Sequence, residues 1–154
     1  MLKQTIFVCC LSATALSAVA APAMAEQCAV TVESNDAMQY NMGNIDISKK
    51  CKEFVITLKH VGKLPKAAMG HNLVVTKAAD MAGVGSDGMM AGVPNDYIKV
   101  KDTRLIAQTK LIGGGESSMA KITVSSLSDK ENYVFFCTFP GHSSAMKGTV
   151  KVVA

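Results

Sequence analysis

The chain has 154 residues, and 16 basic against 12 acidic side chains leave a net charge of only +4. That charge is too mild and too dispersed to argue for nucleic acid or a membrane surface as a partner. Its length is one domain's worth, enough for a sizeable core, and no internal repeat or interdomain linker interrupts it.

The N-terminus sets the compartment. Lys3 is the only charged side chain in the first 25 residues, an apolar stretch runs from Ile6 to Ala21, and Ala23-Met24-Ala25 forms a small-x-small cleavage site. The pattern predicts a cleavable signal peptide over residues 1–25 and an exported, soluble domain over residues 26–154, with no membrane anchor. Cys9 and Cys10 lie inside the apolar stretch rather than at its end, which disfavours lipid attachment.

Strand-like segments follow. Val30-Thr31-Val32, Ile45-Asp46-Ile47 and Phe54 to Leu58 alternate between turn residues, among them the dense basic group Lys49-Lys50-Cys51-Lys52, which reads as a solvated turn. Leu73 to Thr76 continues the series. Residues 77–92 are rich in Ala, Met and Gly without alternation, and predict a short helix plus loop. Arg104 to Ile112, Lys121 to Val124, Tyr133 to Phe136 and Lys147 to Val153 complete the set. Seven to eight short strands at this spacing predict an all-β, Greek-key β-sandwich with a short helical insertion.

Between the last two strands lies the most informative segment, Cys137-Thr138-Phe139-Pro140-Gly141-His142-Ser143-Ser144-Ala145-Met146. It places a thiolate, an imidazole and a thioether around one Pro-Gly turn. That mixture of soft and intermediate donors suits copper, which must be tolerated as both Cu(I) and Cu(II). A lone Met is usually core filler, a lone Cys an inert buried thiol, and a lone His a satisfied polar group. Their concurrence on a single turn between two strands is what argues for a metal. Three donors on one loop would make a wet, loose site, so a fourth is needed. His71, at the head of Leu73-Val74-Val75, is the best candidate, and His60 is the alternative.

The segments Ser34-Asn35-Asp36-Ala37-Met38-Gln39-Tyr40, Cys51-Lys52-Glu53-Phe54, Met69-Gly70-His71-Asn72, Lys110 to Glu116 and Phe136 to His142 together resemble the azurins, bacterial blue copper proteins of the cupredoxin family. The likeness extends over nearly all of the exported chain. It implies a cupredoxin-like sandwich with a helical flap, one type 1 copper ion, and single-electron transfer in the periplasm of a Gram-negative bacterium. Carried over residue by residue, the ligands would be His71, Cys137 and His142 in a plane, with Met146 and the carbonyl of Gly70 on the axis. The backbone amides of Asn72 and Phe139 would donate hydrogen bonds to the Cys137 sulfur, and the Asn72 side chain would brace the loop. The resemblance also implies an apolar partner patch of Met38, Leu64, Ala68, Phe139, Pro140 and Ala145 around His142. Its partners would be redox proteins such as c-type cytochromes and nitrite reductase, met transiently by a monomer. Leu73 departs from the Trp that azurins often carry after Gly-His-Asn, and this chain has no Trp. Gln108 replaces a surface His common in the family, and His60 matches a buried His that couples protonation weakly to redox state.

Without the leader, the cysteines are Cys28, Cys51 and Cys137. An oxidising compartment favours pairing two of them, and a Cys28–Cys51 bridge would staple the first strand to the start of the third, worth about 3 kcal/mol. Metal ligation then gives Cys137 a fate other than oxidation. The competing function is a periplasmic copper chaperone or buffer. The methionines, however, are scattered with no Met-x-x-Met array, and donors drawn from separate strands favour retention over exchange. An enzyme is disfavoured, because the Cys137–His142 pair lacks an orienting Asn or Asp and a catalytic metal needs an open position.

Overall fold

The computed structural model describes residues 27–154, so the leader expected over residues 1–25 lies outside the described residues. The strands are β1 (Ala29–Ser34), β2 (Asn44–Ser48), β3 (Glu53–His60), β4 (Val74–Lys77), β5 (Leu105–Gln108), β6 (Ser117–Thr123), β7 (Tyr133–Phe136) and β8 (Lys147–Val153). Two helices join them: α1 (Lys66–Met69), a single turn, and α2 (Met81–Ala91). One sheet has the order β1-β3-β6 and the other β2-β8-β7-β4-β5, with β1 parallel to β3, β2 parallel to β8, and the remaining pairs antiparallel. The architecture is the expected β-sandwich.

Alternation in the sequence becomes burial in the sheet. β3 turns Phe54, Ile56, Leu58 and His60 inward, and they meet Ile122 of β6 and Val32 of β1 on the same side. The opposite sheet contributes Ile45, Ile47, Val75, Phe135 and Val150 to the same core. Each such side chain removed from water is worth roughly 1.5–3 kcal/mol. β7 and the head of β4, Val74-Val75, read as apolar runs because both of their faces are covered. Val75 and Phe135 face the sandwich, whereas Val74 and Phe136 face outward onto a second cluster with Val84 of α2 and Ile98. The predicted helix therefore lies outside the sandwich. Asp87 of α2 ties it to the approach of β5, accepting from Arg104 at 2.6 Å and Lys99 at 3.0 Å.

Three details differ from the sequence pattern. The strand expected to run from Arg104 to Ile112 stops at Gln108, where Thr109 donates its amide to the Leu73 carbonyl. Ile112 forms an isolated bridge with His71 instead. Val124 opens a 3₁₀ turn rather than extending β6. Leu73 is fully buried in the main core, so the position where azurins often place Trp stays apolar. The Cys28–Cys51 disulfide is formed, with Cα atoms 5.6 Å apart. It links the residues just ahead of β1 and β3, the parallel pair, beside the bond from the Val55 amide to the Cys28 carbonyl. Among the described residues Cys137 is the free thiol, and it is buried.

Candidate metal centre

Three chain segments meet at one end of the sandwich. His71 sits between α1 and β4, fixed by reciprocal backbone bonds with Ile112 at 2.9 and 2.8 Å. Gly70 precedes it, and any Cβ there would lie 2.4 Å from the Lys66 carbonyl oxygen, so only glycine lets α1 fold back this closely. Cys137 leaves β7, and the loop returns to β8 at Lys147. The loop is closed by the Cys137 amide donating to the Met146 carbonyl at 3.0 Å and the Met146 amide donating to the His142 carbonyl at 2.8 Å. Gly141, at φ 81°, makes the left-handed turn that brings His142 inward.

The donor atoms of His71, Cys137 and His142 lie within 4.8 Å of one another, and all three residues are buried. His71 Nδ1 and His142 Nδ1 are 3.2 Å apart, and Cys137 Sγ is 3.7 Å from His142 Nδ1. On the far side of its ring, His71 Nε2–H donates to the Asn35 carbonyl at 2.9 Å. That bond holds the proton on Nε2 and leaves Nδ1 as a bare lone pair aimed into the cluster. Burial pushes the His71 imidazole down to about 4, and it lowers His142 as well, so both rings are neutral donors at neutral pH. Burial also pushes the Cys137 thiol up to about 11, against the backbone N–H groups of Asn72 and Phe139 and the Tyr40 hydroxyl, which favour its thiolate. Only a cation bound directly at the sulfur would hold it as a thiolate here. A thiolate and two imidazole lone pairs converging in a dry pocket form a soft, copper-compatible donor set.

The fourth-donor question has a geometric answer. His60 is stacked on His71 with ring centroids 4.6 Å apart, but its Nε2 faces the Met69 carbonyl at 3.0 Å and its Nδ1 accepts from the Gly62 amide at 3.0 Å. Both of its nitrogens are engaged, so His71 is the donor and His60 a support behind it. Met146 is fully buried at the end of the loop yet belongs to neither apolar cluster. Asn72 reaches across to the loop, accepting from the Thr138 amide at 2.8 Å and donating to Thr138 Oγ1 at 2.7 Å.

The surface above the cluster is apolar and closed over the imidazole. Met38, Leu64, Ala68, Pro140 and Ala145 are exposed and Phe139 is half-buried, but the His142 side chain is only 3% exposed. The Phe139 ring covers it at 4.5 Å between centroids. Two contributors escaped sequence reasoning: the Asn35 carbonyl and the Tyr40 hydroxyl, which donates to the Asn72 carbonyl at 2.5 Å. Neither carries a sequence signal beyond its place in the Ser34 to Tyr40 segment.

Comparison with known proteins agrees with this geometry. The family model for copper binding proteins of the plastocyanin/azurin family matches residues 26–153. The azurin of Achromobacter denitrificans is 56% identical over 140 residues, covering 91% of this chain and 94% of that protein. Azurin-2 of Alcaligenes xylosoxydans xylosoxydans is 59% identical over 126 residues, covering 82% and 98%. A solved structure of the azurin Az-iso2 from Methylomonas sp. strain J superposes with a TM-score of 0.81 at 43% identity, over 84% of this chain and all of that one. A buried His-Cys-His cluster on a two-sheet sandwich and a family match over the whole described domain lead to one conclusion: the chain belongs to the plastocyanin/azurin family of copper binding proteins.

Proposed function

We propose that this chain is a type 1 copper protein carrying single electrons between redox proteins, with His71, Cys137 and His142 as its strong ligands and the Met146 sulfur and Gly70 carbonyl as weaker outer donors. The observation that carries this reading is the convergence of the two Nδ1 atoms and the Cys137 sulfur within 4.8 Å inside the fold. When bound, copper supplies a one-electron couple between Cu(I) and Cu(II). The protein's part is rigidity. His71 is clamped by Ile112 and Asn35, and the loop from Cys137 to Met146 is closed on itself, so the donors move little between oxidation states. Because the donors are buried, no open position is left for a substrate, which favours an electron carrier over an enzyme.

The domain spans residues 26–154 behind a cleaved leader over residues 1–25, and the periplasm is its compartment. The disulfide and the leader-like composition support this placement, and among the described residues no helix is long and apolar enough to cross a membrane. Electrons pass at the Phe139–His142 edge to proteins such as c-type cytochromes or nitrite reductase, through the patch of Met38, Leu64, Ala68, Phe139, Pro140 and Ala145. The test is Cys137→Ser in the copper-loaded protein. Wild type should show an intense visible thiolate-to-Cu(II) band and a reversible one-electron couple, and the variant should lose both. An unchanged band in the variant would refute the site.

A further inference from the structure

The Phe139 ring that covers the donor cluster has two aromatic neighbours. Its centroid is 4.5 Å from that of the His142 imidazole, and the Tyr97 ring meets it in a T-shaped contact at 5.1 Å and 68° between planes. In such a contact the positive edge of one ring faces the negative face of the other, an attraction that an aliphatic side chain of similar area does not supply.

Tyr97 owes its place to the backbone around it. Asp96 and Tyr97 are consecutive non-glycine residues at φ 55°, a left-handed pair that persists only where the surroundings enforce it. The Asn72 side chain donates to the Asp96 carbonyl at 2.8 Å, and the Tyr97 amide donates to the Gly92 carbonyl at 3.0 Å. α2 comes so close that a Cβ at Gly88 would collide with the Tyr97 carbonyl. Phe139, by contrast, borders open space. A cavity of about 520 Å³ lies between α2 and the loop from Cys137 to Met146, with Met81, Gly85, Met89, Phe139 and Ser143 in its lining. That volume falls in the range of about 300–1,000 Å³ typical of small-molecule pockets. A Phe139 ring released from Tyr97 therefore has room to turn away from His142, which is otherwise buried.

We propose that Tyr97 is a positioning residue that holds the Phe139 ring closed over His142, so that this aromatic pair controls the access of copper and small solutes to the donor cluster. The proposal rests on the copper reading above.

The experiment follows two rates in wild type, Tyr97→Leu, Tyr97→Phe and Leu127→Ala. The first is alkylation of Cys137 by iodoacetamide in the metal-free protein without denaturant, resolved from the other cysteines by peptide mass spectrometry. The second is growth of the visible band after mixing with a Cu(II) salt. Tyr97→Leu should raise both rates at least about threefold, the order of factor that one aromatic pair is worth. Tyr97→Phe keeps the ring edge and should match wild type. Leu127→Ala loosens the main core beside Cys51 and Lys52, away from the donor cluster, and should match it too. An unchanged rate of either kind in Tyr97→Leu, or an equal acceleration in Tyr97→Phe or Leu127→Ala, overturns the proposal and leaves the copper reading standing. A wild type without the visible band overturns the copper reading and the proposal with it. If Tyr97→Leu fails to fold, Tyr97→Asn, whose side chain suits a left-handed position, decides alone: faster rates support the proposal, and unchanged rates overturn it.

Discussion

Asn72 and Thr138 exchange hydrogen bonds in both directions, Thr138 N–H to Asn72 Oδ1 at 2.8 Å and Asn72 Nδ2 to Thr138 Oγ1 at 2.7 Å. Asn72 follows His71 and Thr138 follows Cys137, so the pair locks together the two segments that carry ligands from different strands. A third Asn72 side-chain bond, from Nδ2 to the Asp96 carbonyl at 2.8 Å, extends the lock to the loop beyond α2. Asn72→Leu should lower the stability of the metal-free protein by about 2–4 kcal/mol, because buried partners are left unpaired. Thr138→Val, which keeps the backbone amide bond, should cost less, about 1 kcal/mol. Urea denaturation of both variants checks this, and equal stability to wild type would show that the pair braces nothing.

Protons should weaken the metal-free fold through His71. Its imidazole is pushed down to about 4 by burial, whereas in the unfolded chain it titrates near its ordinary 6.5. The unfolded state therefore binds the extra proton between these values. Stability is fully present above about pH 6.5 and is lost as pH falls toward 4, by about 3 kcal/mol at ~1.4 kcal/mol per tenfold. His142 is lowered in the same direction and steepens the loss. Urea midpoints at pH 7.5, 5.5 and 4.5 should decline in step, and His71→Asn should flatten the profile. Bound copper should move the decline to lower pH, because the ligating imidazoles must be unprotonated.

With Met146 as the weak donor proposed above, its loss should be felt in the potential before it is felt in metal retention. Met146→Leu, close in volume, should cost less than about 1.5 kcal/mol of stability and should remain coloured with a changed potential. Complete loss of copper at stoichiometric loading would instead make Met146 a primary ligand or an essential prop.

At the proposed partner surface, Leu64→Lys or Ala145→Lys should leave the visible spectrum unaltered and slow electron self-exchange at least tenfold, about 1.4 kcal/mol of encounter free energy. Both residues are exposed, so neither substitution disturbs packing. Lys52→Glu is the control, since Lys52 precedes β3 at the end of that strand opposite His60, which stacks on His71. Rates should be compared at several salt concentrations. If the control slows exchange and the patch variants do not, electrons leave by another route.

The strands were legible because their burial is periodic. β3 alternates without a break, and β7 and the head of β4, covered on both faces, show the apolar runs that this position demands. The loop from Cys137 to Met146 was legible because its donors all fall within one short stretch of sequence. The choice between His71 and His60 was not legible from local pattern. It depends on which ring nitrogens are already engaged, and those partners are backbone groups of Asn35, Met69 and Gly62. Tyr40 was silent for the same reason, since its role arises from a carbonyl 32 positions away. The packing of the Phe139 ring on His142, 4.5 Å between centroids, has no signal in the loop sequence either.

The Cys28–Cys51 disulfide has a consequence for the free thiol of Cys137. Until the fold closes, Cys137 competes as a partner for either of the others, and a wrong pairing would consume the sulfur that the site depends on. Cys28 and Cys51 are 23 positions apart, whereas Cys51 and Cys137 are separated by 137 − 51 = 86. The shorter excursion is favoured roughly sevenfold by chain statistics alone. Cys28 and Cys51 also precede Cys137 along the chain by a wide margin, so they can find each other before it is made or delivered. The spacing of these three cysteines thus acts as a kinetic safeguard, keeping Cys137 reduced while Cys28 and Cys51 are oxidised.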